Sequence, residues 1–230
     1  MKSVLASLDV AGVVLAALYL RGGPGGAAAR RKWPLVECAL RRSCDDLGRA
    51  SNALLKEGLW AEAVLLERPG LLAWAERQIS SRRVISVLDS SYPLRWRRLG
   101  PAAPPVLWRV GEVPEGPFCA VVGSRRVGAD ELSFSGEVAA EASALGYAIV
   151  SGGAPGCDSA ALQDVKVALE ILPYGIEHHR RDRAALSLCP PGEPFSTSAA
   201  MERNALIYCA ASHAVVVHAR FREGGTWTGA

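Results

Sequence analysis

From residue 118 onward the sequence alternates short apolar runs with longer amphipathic stretches, and no other feature constrains the fold as strongly. Phe118 to Val122, Tyr147 to Val150, Val167 to Leu172 and Ala214 to His218 read as strands. Ala129 to Leu145, Cys157 to about Lys166 and Ala199 to Ala210 read as helices. Strands separated by helices pair in parallel, because each crossover returns the chain to the same end of the sheet. The expected fold class is α/β, an extended Rossmann-like parallel sheet flanked by helices. In the first of these helices Phe134, Val138, Ala142 and Leu145 share one side and are expected to face the core, with Asp130, Glu137 and Glu141 elsewhere.

Upstream the pattern is different. Ser3 to Leu20, Trp33 to Arg42, Asp45 to Glu57, Trp60 to Arg68 and Leu71 to Arg82 read as helices separated by Gly and Pro breakers. Two β-rich runs follow, Val84 to Leu88 and Val106 to Val110. The expected division is a small N-terminal helical region, residues 1–83, and a Rossmann-like domain, residues 84–230. With 50% hydrophobic and 21% charged residues, the chain can build a core and wholesale disorder is excluded. Val10 to Leu20 is apolar, but Asp9 interrupts it and the run is too short for a bilayer. A buried helix is expected there rather than a leader peptide, and no membrane partner.

Cys38, Cys44, Cys119, Cys157, Cys189 and Cys209 show no CxxC spacing and no nearby histidine pair. That excludes a zinc site and a disulfide framework and implies reduced thiols in a cytoplasm, with Cys119 and Cys209 buried. No cofactor or metal is called for. The net charge of +3 does not by itself mark a nucleic-acid binder. However, Lys2, Lys32, Lys56 and Lys166 are the only lysines among 26 cationic residues. Arginine holds a phosphate through two hydrogen bonds and stacks on bases.

Ligands of open parallel sheets bind beyond the carboxyl ends of the strands. The first such loop carries Gly123, Ser124, Arg125 and Arg126. Its glycine permits close backbone approach, and the next helix offers amides to an anion. The second, from Ser151 to Asp158, holds Gly152, Gly153 and Gly156, a low-bulk loop that resembles a phosphate cradle. It lacks the GK[ST] ending of a Walker loop and the spacing of GxGxxG. Asp158 reads either as a helix cap or as a ligand contact. The third loop precedes the helix carrying Arg203 and Asn204, with Ser198 as the expected cap. A cation near a helix start opposes the dipole by ~0.3–1 kcal/mol, so Arg203 needs an anion: Glu202, Glu193 or a bound phosphate. The last strand is followed by Gly224, Gly225 and Thr226.

Taken in order, Tyr92-Pro93, Pro105 to Trp108 with Gly111, Val121 to Arg125, Ser151 to Asp158, Ala200 to Tyr208 and Gly224 to Ala230 form an extended pattern. This pattern resembles the DprA/Smf family of DNA-processing proteins over roughly residues 84 to 230. The resemblance implies single-stranded DNA as ligand, a homodimer, RecA as partner during natural transformation, and no catalytic activity. It carries the DNA and phosphate contacts onto Gly123, Ser124, Arg125, Ser151, Gly152, Gly153, Gly156, Asp158, Arg203, Asn204, Gly224, Gly225 and Thr226. Leu162 stands where the family usually has a histidine, and the segment from Ala161 to Pro173 is several residues short. The chain stops at Ala230, where a further helix of the family pattern is expected. His178, His179, Arg180, Arg181 and Arg183 form a basic stretch read as a solvated loop, and Phe195 and Trp227 are candidate stacking platforms.

A different class remains open, a phosphoribohydrolase-like enzyme or a nucleotide sensor on the same fold. Against it, Gly224-Gly225-Thr226 lacks the preceding proline and the following acid of the PGG-x-GT-xx-E motif.

Overall fold

The computed structural model describes residues 26–43, 47–89, 92–180, 182–220 and 226. The helix expected over Ser3 to Leu20, together with Gly224, Gly225 and Trp227, lies outside these residues. The chain divides into two compact units, residues 1–108 and 109–230.

The first unit is mainly helical. Helices α1 (Gly26–Arg41), α2 (Leu47–Lys56), α3 (Trp60–Leu66) and α4 (Pro69–Ser80) correspond to the expected ones, but α1 begins seven residues before Trp33 and continues through Pro34, and α4 takes in the Pro69-Gly70 breaker. Proline opens α4, where its missing amide costs nothing. Trp33, Val36, Leu40, Ala50, Leu54, Ala63 and Leu66 are buried. Strand β1 (Val84–Ser86) is shorter than expected, because the Ser86 hydroxyl accepts from the Leu88 amide at 3.2 Å and turns the chain. It pairs antiparallel with β2 (Val106–Val110), Val84 opposite Trp108. Between them α5 (Leu94–Arg97) buries Trp96, and the Tyr92 hydroxyl donates to the Pro104 carbonyl at 2.9 Å.

The second unit carries the predicted alternation. Its strands are β3 (Phe118–Val122), β4 (Ala148–Ser151), β5 (Ala168–Leu172), β6 (Ala184–Ser187) and β7 (His213–Val216), all parallel in the order β6-β5-β4-β3-β7. Strands β3, β4 and β5 are buried at every residue, as a sheet covered on both faces requires. The crossovers are α6 (Ala129–Ala144), α7 (Cys157–Gln163) and α8 (Thr197–Ala210). Strand β6 follows the basic stretch and has no counterpart among the expected elements; four residues give too short an alternation to distinguish from loop. The short segment after Ala161 is accommodated by ending α7 after seven residues, with β5 intact.

The stripe expected on α6 is rotated. Ser135 and Ala139 are buried, Val138 and Ala142 pack against the core, and Phe134 and Leu145 are exposed by 50% and 72%. Small residues form the contact because α7 lies close. A Cβ on Gly136 would stand 3.9 Å from the Ala160 carbonyl. The Ser135 hydroxyl donates to the Glu131 carbonyl one turn back, so it packs without an unmet polar group. Cys119 is buried as expected, whereas Cys209 is only half-buried.

This strand order fixes where a ligand can sit. From β3 the chain proceeds outward through β4, β5 and β6, then returns through α8 to place β7 on the other side of β3. The order therefore reverses between β3 and β7, and the crevice of such a sheet opens beyond the carboxyl ends of those two strands.

Candidate functional site

Beyond those strand ends lies a cavity of about 380 Å³ lined by residues of all three loops and of α8. It brings together Gly123, Ser124, Arg125, Asp158, Arg203, Asn204 and Thr226 from the sequence prediction. It also holds Arg126, which the sequence places in the first loop but not among the contacts, and Tyr208 and Arg220, which sequence reasoning did not place there. The wall thus carries four arginines against one carboxylate among the described residues.

The loop after β3 is held by its neighbours. The Gly123 amide donates to Asp158 Oδ1 at 3.1 Å, and the Ser124 amide to the His218 carbonyl at 2.9 Å. The Thr226 hydroxyl donates to the Gly123 carbonyl at 3.1 Å. Gly123 has to be glycine because a Cβ would strike the Cys157 side chain. Two of the amides predicted to cradle an anion are therefore already bonded within the protein.

In the loop after β4, Gly152 and Gly156 make room for protein rather than ligand. A Cβ on Gly152 would overlap the Arg203 guanidinium, and one on Gly156 would strike the Ser124 carbonyl and the backbone of Arg125. Gly156 has φ +91° and Gly153 φ +63°, backbone that side-chain-bearing residues rarely adopt. Ser151 faces away from the cavity: it is fully buried and its hydroxyl donates to the Val121 carbonyl at 2.6 Å. Gly156 instead borders a second groove between α6 and α7, shared with Arg125.

Asp158 is not the cap of its own helix. It sits in the first turn of α7, 4% exposed, and accepts from the Gly123 amide, with further support from the amides of Gly152 and Ala154. Burial pushes its carboxyl up from the ordinary value, while Arg203 and these amides pull it down.

Helix α8 starts two residues before the expected place. Ser196, not Ser198, is the cap, and its hydroxyl accepts from the Ala199 amide at 3.1 Å. Arg203 therefore lies in the second turn, and the dipole argument for its needing an anion does not apply. Burial supplies a stronger one. Arg203 is 5% exposed, and its ion-pair partner is neither Glu202 nor Glu193 but Asp158, at 3.8 Å, with buried Glu170 also supporting its charge from further off. That distance is too long for a hydrogen bond. One terminal nitrogen donates weakly to the Gly152 carbonyl at 3.4 Å, and Nε has no partner among the described residues. Burial works against its charge, Asp158 supports it, and Arg125 again works against it.

At the mouth, exposed Arg125 lies over the ring of Phe195, its guanidinium carbon 5.8 Å from the centroid, and Phe195 is itself 50% exposed. Burial raises the Tyr208 hydroxyl above its usual range, with Asp158 acting in the same direction.

The family model of DNA recombination-mediator protein A matches residues 83–230, well over half of the chain. The chain belongs to this family. The resemblance drawn from the ordered loop motifs is thereby borne out, as is the α/β Rossmann-like fold. DNA processing protein A from Streptococcus pneumoniae is similar in structure, with TM-score 0.65 and 21% identity, covering 96% of this chain and 78% of that one. DNA processing protein A from Helicobacter pylori, whose structure was described for its single-stranded DNA binding mode, gives TM-score 0.56 at 18% identity, covering 64% and 74%. No curated protein matches the chain. Among the described residues no helix is long and apolar enough to cross a membrane.

Proposed function

We propose that the cavity beyond β3 and β7 binds the phosphate backbone of single-stranded DNA, with Arg203 at its floor and Arg125 at its mouth. The observation that carries this reading is Arg203 itself: a buried guanidinium with an unbonded Nε, one long hydrogen bond and a second arginine opposing it. Buried polar groups are ordinarily satisfied, and a buried charge without close partners is costly. A phosphate would satisfy Arg203 through two parallel hydrogen bonds and quiet its repulsion with Arg125. Phe195 offers a stacking face for a base beside that phosphate.

In this reading Gly123, Ser124, Asn204 and Thr226 form the rim. Gly152 and Gly156 act indirectly by letting Arg203 and the β3 loop take their positions, Gly153 supplies the turn between them with φ +63°, and Ser151 holds β4 to β3. Gly224 and Gly225 belong to the proposed rim on sequence alone. The family's role extends the proposal to RecA loading and protection of incoming strands in natural transformation, by a cytoplasmic homodimer with no catalytic step and no cofactor.

The volume of the cavity, about 380 Å³, favours one second reading, since it falls in the range of small-molecule sites. A free nucleotide would then be the ligand, bound or hydrolysed. Titration of labelled oligo-dT, with and without a competing mononucleotide, separates the two. Tight, salt-sensitive oligonucleotide binding that excess mononucleotide displaces poorly supports the DNA reading. Free adenine released from AMP, or equal affinity for duplex and single strand, contradicts it.

A further inference from the structure

We propose that Asp158 determines which phosphate the cavity accepts, admitting the singly charged phosphodiester of a polynucleotide and disfavouring the doubly charged phosphate of a free mononucleotide. The inference rests on the backbone-binding reading above and names the ligand class of that same site.

Asp158 is the one carboxylate among the described residues lining the cavity, and it is almost fully enclosed. The groups that reach it are donors: the Gly123 amide at 3.1 Å, the amides of Gly152 and Ala154, and the Arg203 guanidinium. An ionised carboxylate, which only accepts, is matched to that surrounding. Its Oδ2 stands 3.8 Å from the nearest Arg203 nitrogen. The pair is too far apart to consume the donors of Arg203, yet close enough for the two charges to oppose each other's fields.

The consequence follows from where each charge sits. Arg203 and Asp158 are both buried, with buried Glu170 also acting on Arg203, so water screens them little and together they present no net positive charge to a ligand. Arg125, Arg126 and Arg220 are exposed, so their pull on a ligand charge is weakened by solvent. A diester phosphate, with one negative charge, satisfies the donors of Arg203 at little electrostatic cost. A monoester carries about −1.5 to −2 at neutral pH. Its second charge must be desolvated in a place where the buried pair returns nothing for it.

The test uses the full chain and two ligands that differ by one charge, thymidine 5′-monophosphate and thymidine 5′-(methyl phosphate). The methyl ester should bind the wild-type protein about tenfold tighter, although it is the less charged ligand. Asp158→Asn keeps an acceptor for the Gly123 amide and removes the charge, and should bring the two affinities within about twofold of each other. A monoester that binds the wild type as well as the diester overturns the proposal, as does a gap that Asp158→Asn leaves unchanged. If Asp158→Asn does not fold, Asp158→Ser, which also removes the charge and keeps an oxygen for the Gly123 amide, is read by the same criterion. Failure of the wild type to bind oligo-dT at all would instead overturn the backbone-binding reading, and the two failures are thus distinguishable.

Discussion

The guanidinium of Arg203 occupies the space where a side chain on Gly152 would stand. These residues are 51 positions apart, on α8 and on the loop after β4, and their contact sets the floor of the cavity. A glycine that sequence reasoning assigns to a ligand is there to admit the protein's own arginine. It shapes the site from beneath.

Gly152→Ala should therefore displace Arg203 without removing it. A methyl group there forces the guanidinium aside, with a stability cost of about 1–3 kcal/mol for overpacking. Oligo-dT affinity should fall about tenfold while the circular dichroism spectrum is kept. Unchanged affinity would mean that the position of Arg203 does not matter.

Gly156→Ala tests the loop rather than the arginine. Alanine at φ +91° is strained, and its methyl group would meet the Ser124 carbonyl. Destabilisation of about 1–3 kcal/mol is expected from the backbone alone, measured by urea unfolding. A loss below that range would show that the two loops separate readily.

How far the sequence discloses such contacts depends on their range. The α/β alternation, the loops at strand ends and the family pattern are local in the chain, and each was legible. Rotation of α6 was not, because Phe134 and Leu145 look like core until the closeness of α7, which only small residues permit, is known. The sequence marks Arg203 by a helix-dipole conflict that Ser196 capping removes, and its real distinction is burial beside Asp158, 45 residues away in sequence. Tyr208 and Arg220 join the wall through strand order, which periodicity does not encode.

The pH dependence of Asp158 has a definite sign. Burial raises its carboxyl above the ordinary value of 3.8, so the folded protein holds that proton more tightly than the unfolded chain does. Its contribution to stability is full below the unfolded value and is lost as pH rises toward the folded one. The wild type should lose unfolding free energy relative to Asp158→Asn as pH rises above that ordinary value. Paired urea melts measure this, and a relative gain over that span would show that the carboxylate form is favoured overall.

Phe195→Ala should remove a stacking platform while leaving the phosphate contacts. A loss of about 1–3 kcal/mol in oligonucleotide binding is expected, with the salt slope unchanged. A change in slope would instead show that Phe195 acts by orienting Arg125, which lies over its ring.

The most direct test is the salt dependence of oligo-dT binding by the wild type and by Arg203→Ala, with folding of both verified by thermal melts. If Arg203 grips a backbone phosphate, the variant should bind at least about tenfold more weakly, and the slope of log affinity against log salt should shrink by about one contact's worth, roughly 0.7 for a single strand. A folded variant with wild-type affinity and slope would contradict the account.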